Sequence, residues 1–378
     1  MPLMQLRISN HGKHRPPINA YQARLTIHGL TAFIAAYMRL KLSPSYSLSA
    51  LALLALACPA PAQPVLVGAG ATFPQPIYTK WFQVYAESHP EFQIRYEGGG
   101  SEAGVRRLAD GSVDFAASDM PLDDTRLTQL GRPVLQLPST LGAVVPIYHL
   151  EGFAQDIRLT PEALAGIYLG RVHHWNDPAI QSVNRGVALP DRAIHVVHRS
   201  DGSGTTFIWT DYLSKVSAEW KSGPGTGTFV AWPVGQGAEG NEGVARTVAS
   251  TADAIGYVEF IYALFNRLSY ALVRNAGGAF VEANLETIAA AAANSAQTMP
   301  PDFRISITNA PGRKSYPLAA FTYLLIPLKP TDAPKGAYLR ELLGWIFSSG
   351  QRQSAALGYG SLPPEIIRRA EQAISSLR

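Results

Sequence analysis

Val65-Leu-Val-Gly-Ala-Gly-Ala-Thr-Phe-Pro74 runs a short apolar strand straight into a glycine-rich turn. Behind that turn Ile77, Trp81, Phe82 and Tyr85 share one helical face, and the pattern stops near His89-Pro90. Phe92, Ile94 and Tyr96 alternate as a strand that feeds Gly98-Gly-Gly-Ser-Glu-Ala-Gly104, after which Val105 and Leu108 resume helical spacing. Val113-Asp-Phe115 is a further brief strand, and Asp114-Phe-Ala-Ala-Ser-Asp119 ends in a carboxylate. Strand, turn and helix in this repetition predict an α/β sheet with its ligand crevice at the carboxyl ends of the strands.

Working outward, Gly142-Ala-Val-Val-Pro-Ile-Tyr148 is an apolar stretch with no glycine turn behind it. A second α/β pattern runs from Leu159 to Glu259. It holds Ile194-His-Val-Val197, the loop Arg199-Ser-Asp-Gly-Ser-Gly-Thr205, a helix carrying Phe207, Ile208, Tyr212 and Leu213, and the strand Ala254-Ile-Gly-Tyr-Val258. Residues 222–243 are glycine-rich and read as a surface loop. Phe321-Thr-Tyr-Leu-Leu-Ile326 is a strong strand, followed by helices through Leu343, Trp345 and Ile346. With 378 residues, 47% hydrophobic and 16% charged, the chain can fill two cores.

The formal charge of +4 is unevenly placed. Arg7, Lys13, Arg15, Arg24, Arg39 and Lys41 precede residue 63 with no Asp or Glu among them, leaving 26 basic against 28 acidic residues beyond. A basic nucleic-acid surface is therefore not expected. Arg39 and Lys41, the apolar run Leu48–Ala57 and Ala60-Pro-Ala62 read as an export signal with a small-x-small cleavage site. That run falls short of the roughly 20 residues of a membrane span. Met38 is the expected start of translation, and residues 1–62 form an upstream extension plus signal. The single cysteine, Cys58, lies inside the signal, behind Ala55-Leu56-Ala57, a weak match to a lipid-attachment site. Cleavage after Ala62 leaves a chain without thiols, hence without disulfides or zinc–thiolate sites.

Three of the glycine-rich segments place small or hydroxyl residues just before a helix. Unpaired N–H groups at helix N-termini attract anions, and neighbouring hydroxyls add donors. Thr72, Phe73 and Ser101 supply two such ends. In the loop 199–205, Arg199 can fork onto two anion oxygens, Asp201 can brace the guanidinium, and Ser203 and Thr205 offer hydroxyls. Gly202 and Gly204 allow close backbone approach. Asp119 is out of place beside an anion unless the anion carries a proton; HPO4²⁻ or H2PO4⁻ can donate to it, whereas sulfate cannot. Read singly, Thr72 and Ser101 are ordinary helix caps, Asp119 is a cap before Met120-Pro121, and 199–205 is a surface turn. Their recurrence favours one oxyanion site.

Other chemistry lacks support in the sequence. His195 and His198 fall on opposite sides of a strand, and His173-His174 read as solvated. Trp175, Trp220 and Trp232 read as packing residues. There is no H-E-x-x-H, no G-x-x-x-x-G-K and no G-x-S-x-G.

Together with Ile167-Tyr-Leu-Gly170, Trp175, Gly225-Thr-Gly-Thr228, Trp232-Pro233, Gly240-Asn-Glu-Gly243 and Ala254-Ile-Gly-Tyr-Val-Glu259, the four segments resemble the periplasmic phosphate-binding proteins of the ABC phosphate (Pst) transporters. The resemblance runs from Val67 to the C-terminal helices. It implies an α/β type II periplasmic binding protein fold of two lobes, 63–145 plus 313–378 and 146–312, joined by hinge strands with the ligand cleft between them. It also implies a binding protein without catalytic residues, metal or cofactor. Its ligand would be inorganic phosphate and its partner a membrane permease and ATPase complex, with the protein a periplasmic monomer. Residue by residue, the match assigns phosphate donors to Thr72, Phe73 (through its backbone N–H), Ser101, Arg199, Ser203, Gly204 and Thr205. Asp119 becomes the acceptor of the ligand proton, with Asp201 bracing Arg199. The chain departs from the family's usual Gly-x-Gly-Ser-Ser-Gly-Gly at Glu102-Ala103-Gly104, which sets a second carboxylate beside the anion. A secreted phosphatase with the same anion cradle, or a receptor for a protonated oxyanion such as arsenate, are the competing readings.

Overall fold

The computed structural model describes residues 64–153, 155–330 and 332–377. The expectations for the export signal, the start at Met38, cleavage after Ala62 and lipid attachment at Cys58 lie outside the described residues.

Strands β1 (Val65–Gly70), β2 (Gln93–Gly98) and β3 (Phe115–Ser118) are parallel, with β1 in the middle. Helices Gln75–Ser88 and Ser101–Ala109 make the crossovers, as the sequence periodicity predicts. The first helix buries Ile77, Tyr78, Trp81, Phe82 and Tyr85, the 3–4 spaced face that drives it onto the sheet. β4 (Val134–His149) then runs for 16 residues. After β5 (Arg158–Leu159) come β6 (His195–Arg199), β7 (Gln236–Ala238) and β8 (Ala254–Glu259), then the short β9 (Ser269–Tyr270), β10 (Leu272–Arg274) and β11 (Phe280–Val281), and finally β12 (Ala319–Pro327).

The main sheet has the order β2-β1-β3-β12-β4-β8-β6-β7, and β9 also pairs with β4. β12 is antiparallel to both β3 and β4. β4 pairs with β12 along Val134–Ala143 and then changes partner, pairing with β8 along Val144–His149. A single strand thus belongs to the β1–β3 group at one end and to the β6–β8 group at the other. β12 is buried along its whole length and β4 along nearly all of it, which accounts for their continuous apolar runs.

Two sequence expectations need correction. Gly142–Tyr148 is only the second half of β4; Pro138 disguised the first half, and it sits where the β4–β12 register shifts and no ladder N–H is needed. Residues 222–243 are not simply a surface loop: they contain β7, the buried Thr228 and the first turn of helix Gly240–Ser250. Trp232 in that segment packs among Tyr168, Trp220 and Tyr257, and stacks on His198 at 4.7 Å. Trp175 and Trp220 are fully buried, and His173 and His174 are exposed.

Candidate functional site

The four segments that open the sequence argument converge at the carboxyl ends of β1, β2, β3 and β6. Thr72 and Phe73 lie in the turn after β1, Ser101 opens the helix after β2, and Asp119 follows β3. Arg199 ends β6, and Ser203 caps helix Gly204–Val216 by accepting from the Thr206 N–H at 3.1 Å. All six residues are buried, as are Gly204 and Thr205, the first two residues of that helix.

The capping readings separate here. Ser203 is a cap, whereas helices Gln75–Ser88 and Ser101–Ala109 have no side-chain cap, so Thr72 and Ser101 are used otherwise. Asp119 caps nothing; Asp123 caps the next helix, Asp124–Gln129.

The four hydroxyls share one feature. Ser101 Oγ accepts from the Asp119 N–H (3.2 Å), Ser203 Oγ from Thr206, and Thr72 Oγ1 and Thr205 Oγ1 from Asn241 Nδ2 (2.8 and 3.2 Å). In each bond the hydroxyl oxygen is the acceptor, which leaves its own proton to donate elsewhere. Asn241 is fully buried, and its Oδ1 accepts from the Glu259 N–H at 2.9 Å, so the amide is fixed at both ends. Sequence reasoning overlooked its part, although it stands in the quoted Gly240-Asn-Glu-Gly243.

Arg199 is held flat by Asp201: Nε donates to Oδ1 at 2.7 Å and Nη2 to Oδ2 at 2.5 Å. Burial works to raise the Asp201 pKa, but Arg199 and the Gly240 N–H outweigh it and keep the carboxyl below its ordinary value. The remaining guanidinium nitrogen, Nη1, is buried without a hydrogen-bond partner among the described residues. Asp119 is similarly split. Its Oδ1 accepts from Thr322 Oγ1 at 2.6 Å, and its Oδ2 is buried and unpartnered among the described residues. Burial pushes its pKa up to about 7, while the Thr322 bond and the Arg199 charge pull the other way. Thr322, the lone threonine in 321–326, is a second residue the sequence reading passed over.

Two glycines let the segments meet. A Cβ on Gly204 would lie 2.3 Å from Ser101 Oγ and 2.6 Å from Asp119 Oδ2. At Gly100 the backbone has φ +88°, and a Cβ would stand 2.6 Å from both Asp201 Oδ2 and the Gly202 carbonyl. Phe73 is packed under the site, its carbonyl accepting from Tyr359 Oη at 2.7 Å.

The unusual Glu102 does not face this cluster alone. Its Oε1 accepts from Arg126 Nη1 at 2.7 Å and from Thr228 Oγ1 at 2.5 Å, and its N–H donates to the Gly202 carbonyl at 3.1 Å. The extra carboxylate is engaged by a cation and a hydroxyl at the rim. Among the described residues no group of three or more His, Cys, Asp or Glu has the arrangement of a metal site.

The chain has relatives among known proteins. Residues 57–349 match the model of the PBP superfamily domain. The phosphate-binding protein PstS of Xylella fastidiosa (strain Temecula1) is 43% identical over 305 residues, covering 80% of this chain and 83% of its own. PstS of the archaeon Methanocaldococcus jannaschii is 35% identical over 341 residues, 84% of this chain and 87% of that one. In structure, the chain is similar to the high affinity periplasmic phosphate-binding protein PfluDING, solved with phosphate bound. There the TM-score is 0.66 at 23% identity, over 82% of this chain and 93% of the other, a likeness of fold.

Proposed function

We propose the function of this chain from a plain premise: it belongs to the PstS family of phosphate-binding proteins, within the PBP superfamily. It binds inorganic phosphate and hands it to the permease and ATPase of an ABC-type importer. It works in the periplasm, after export, as a binding protein and not as an enzyme.

The observation that carries this reading is the donor and acceptor inventory of the site. Four hydroxyls with uncommitted protons, the Arg199 Nη1 donor and the N-terminus of helix Gly204–Val216 surround one unpartnered acceptor, Asp119 Oδ2. Such a set fits a tetrahedral anion that carries a proton. A fully ionised anion sets an oxygen lone pair against Oδ2 and forfeits the match. Thr72, Phe73, Ser101, Arg199, Ser203, Gly204 and Thr205 are the donors, and Asp201 fixes Arg199. A phosphatase would need a base on Ser203, whose Oγ makes no hydrogen bond to a His, Asp or Glu among the described residues.

The lobes are 63–145 plus 313–378 and 146–312. Support comes from β4, which changes partner from β12 to β8 between Ala143 and Val144. Donors then come from both sides of the cleft, so phosphate draws the lobes together. Each charge-assisted hydrogen bond nets roughly 1.5–3 kcal/mol, enough for a handful to offset desolvation and closure.

The test is titration calorimetry of residues 63–378 with phosphate and sulfate at pH 8, for the parent and for Asp119→Asn. The parent should bind phosphate and reject sulfate, by up to roughly 10⁴-fold where a ligand hydrogen is required. The variant, with an amide able to donate, should bind the two anions with affinities drawn at least 100-fold closer together. No phosphate binding by the parent, or unchanged discrimination in the variant, would refute the proposal.

A further inference from the structure

We infer that Thr322 is a positioning residue for ligand discrimination: from β12, opposite a β-bulge, its hydroxyl holds Asp119 Oδ1, and this leaves Oδ2 as the acceptor that interrogates the ligand. The inference rests on the phosphate-binding reading of the same site and adds to it the group that sets the acceptor's protonation.

The geometry begins in the sheet. β12 pairs residue by residue with β4 until Thr322 meets Thr140; the next pair is Tyr323 with Pro138, so Ser139 is left as the extra residue of a bulge. The bulged strand is β4, and the bulge sets Ser139 against the Thr322 backbone of β12. The bulge is clamped on every side. Ser139 Oγ donates to the Thr322 carbonyl at 3.2 Å and lies 2.5 Å from Tyr78 Oη, and its own carbonyl accepts from Gln351 Nε2 at 2.8 Å. Thr322 itself is fully buried, and its hydroxyl reaches Asp119 Oδ1 at 2.6 Å.

A carboxylate with one oxygen engaged presents the other in a defined direction, and a donor to either oxygen favours the ionised form. The groups around Asp119 leave few alternatives for that task. Tyr78, Tyr96, Tyr262 and Tyr359 all have pKa values raised by burial, so they are neutral. Glu259, also fully buried, is pushed well above its ordinary value by burial and by the Asp119 charge. Only Thr322 and the Arg199 charge oppose burial at Asp119, and Arg199 is already paired to Asp201. Without the hydroxyl, Asp119 holds its proton to higher pH and becomes a donor that tolerates an unprotonated anion.

The experiment compares the parent with Thr322→Val and Thr322→Ser, full-length from residue 63. Sulfate competition against phosphate is measured by calorimetry from pH 5 to 9. The carboxyl carbon of Asp119 is titrated by NMR in the phosphate-free proteins. For Thr322→Val, the pH at which sulfate begins to compete and the carboxyl midpoint should both rise by about one unit, equivalent to about tenfold weaker discrimination at fixed pH. Thr322→Ser, which keeps the hydroxyl, should restore both. Unmoved midpoints in Thr322→Val overturn the inference, and so does a serine variant that behaves like valine, since packing is then the cause. If the valine variant fails to fold, Thr322→Ala carries the same comparison. A parent that binds no phosphate refutes the functional reading alone, because the ligand-free titration still judges Thr322.

Discussion

Asp119 has two oxygens with different surroundings, one tied to Thr322 and one without a partner. The physical cost of that arrangement falls on the ligand-free protein. Its carboxyl titrates at about 7 when folded against 3.8 as a free group, so the folded state keeps the proton longer. Its stabilising contribution is therefore fully present below pH 3.8 and is lost as pH rises through 7. Asp119→Asn has no such loss. In phosphate-free urea denaturation, the variant should gain on the parent by up to about 4 kcal/mol between pH 4 and pH 8. A constant difference across that range would show that Asp119 does not titrate where its burial requires. Glu102, by contrast, is paired where it stands. Its partners Arg126 and Thr228 explain how the chain tolerates a carboxylate at this position.

At the scale of elements, the helix Gly204–Val216 contributes most through its first residue. Alanine is a better helix former than glycine, by up to about 1 kcal/mol in a helix interior. Gly204→Ala should therefore keep the helix, with an unchanged circular dichroism spectrum, while the two segments move apart to make room for the methyl group. Its methyl group, however, would occupy the space of Ser101 Oγ and Asp119 Oδ2. Phosphate affinity should drop at least 100-fold while the protein stays folded; near-parental affinity would mean that the two segments never approach this closely in the bound state. The glycine-rich turns announced these helix ends in the sequence. The bulge at Ser139 had no such signal, because it arises from the pairing of two strands about 180 residues apart in sequence.

For the whole molecule, the rim bonds join the β1–β3 side to the β6–β8 side. Thr228 donates to Glu102, Glu102 N–H donates to Gly202, and Asn241 bridges Thr72 with Thr205. Thr228→Val should weaken phosphate binding by roughly 10-fold, chiefly through faster release, since it removes a bond to a charged acceptor from the closed form. Stopped-flow dissociation would measure this; an unchanged off-rate would assign Glu102 to Arg126 alone. Small-angle scattering should also show the radius of gyration falling when phosphate is added.

Local patterns in the chain were enough to determine the alternating strands and helices, the four glycine- and hydroxyl-rich segments at the strand ends and the Arg199–Asp201 pair. Each of these depends on neighbours within a few residues: periodicity, helix ends and short side-chain reach. The roles of Thr322 and Asn241, the long first half of β4 and the engagement of Glu102 were decided only by the tertiary structure. These features rest on contacts between distant segments, where a hydroxyl or an amide acquires its chemistry from what is packed against it, and no local spacing encodes that partner.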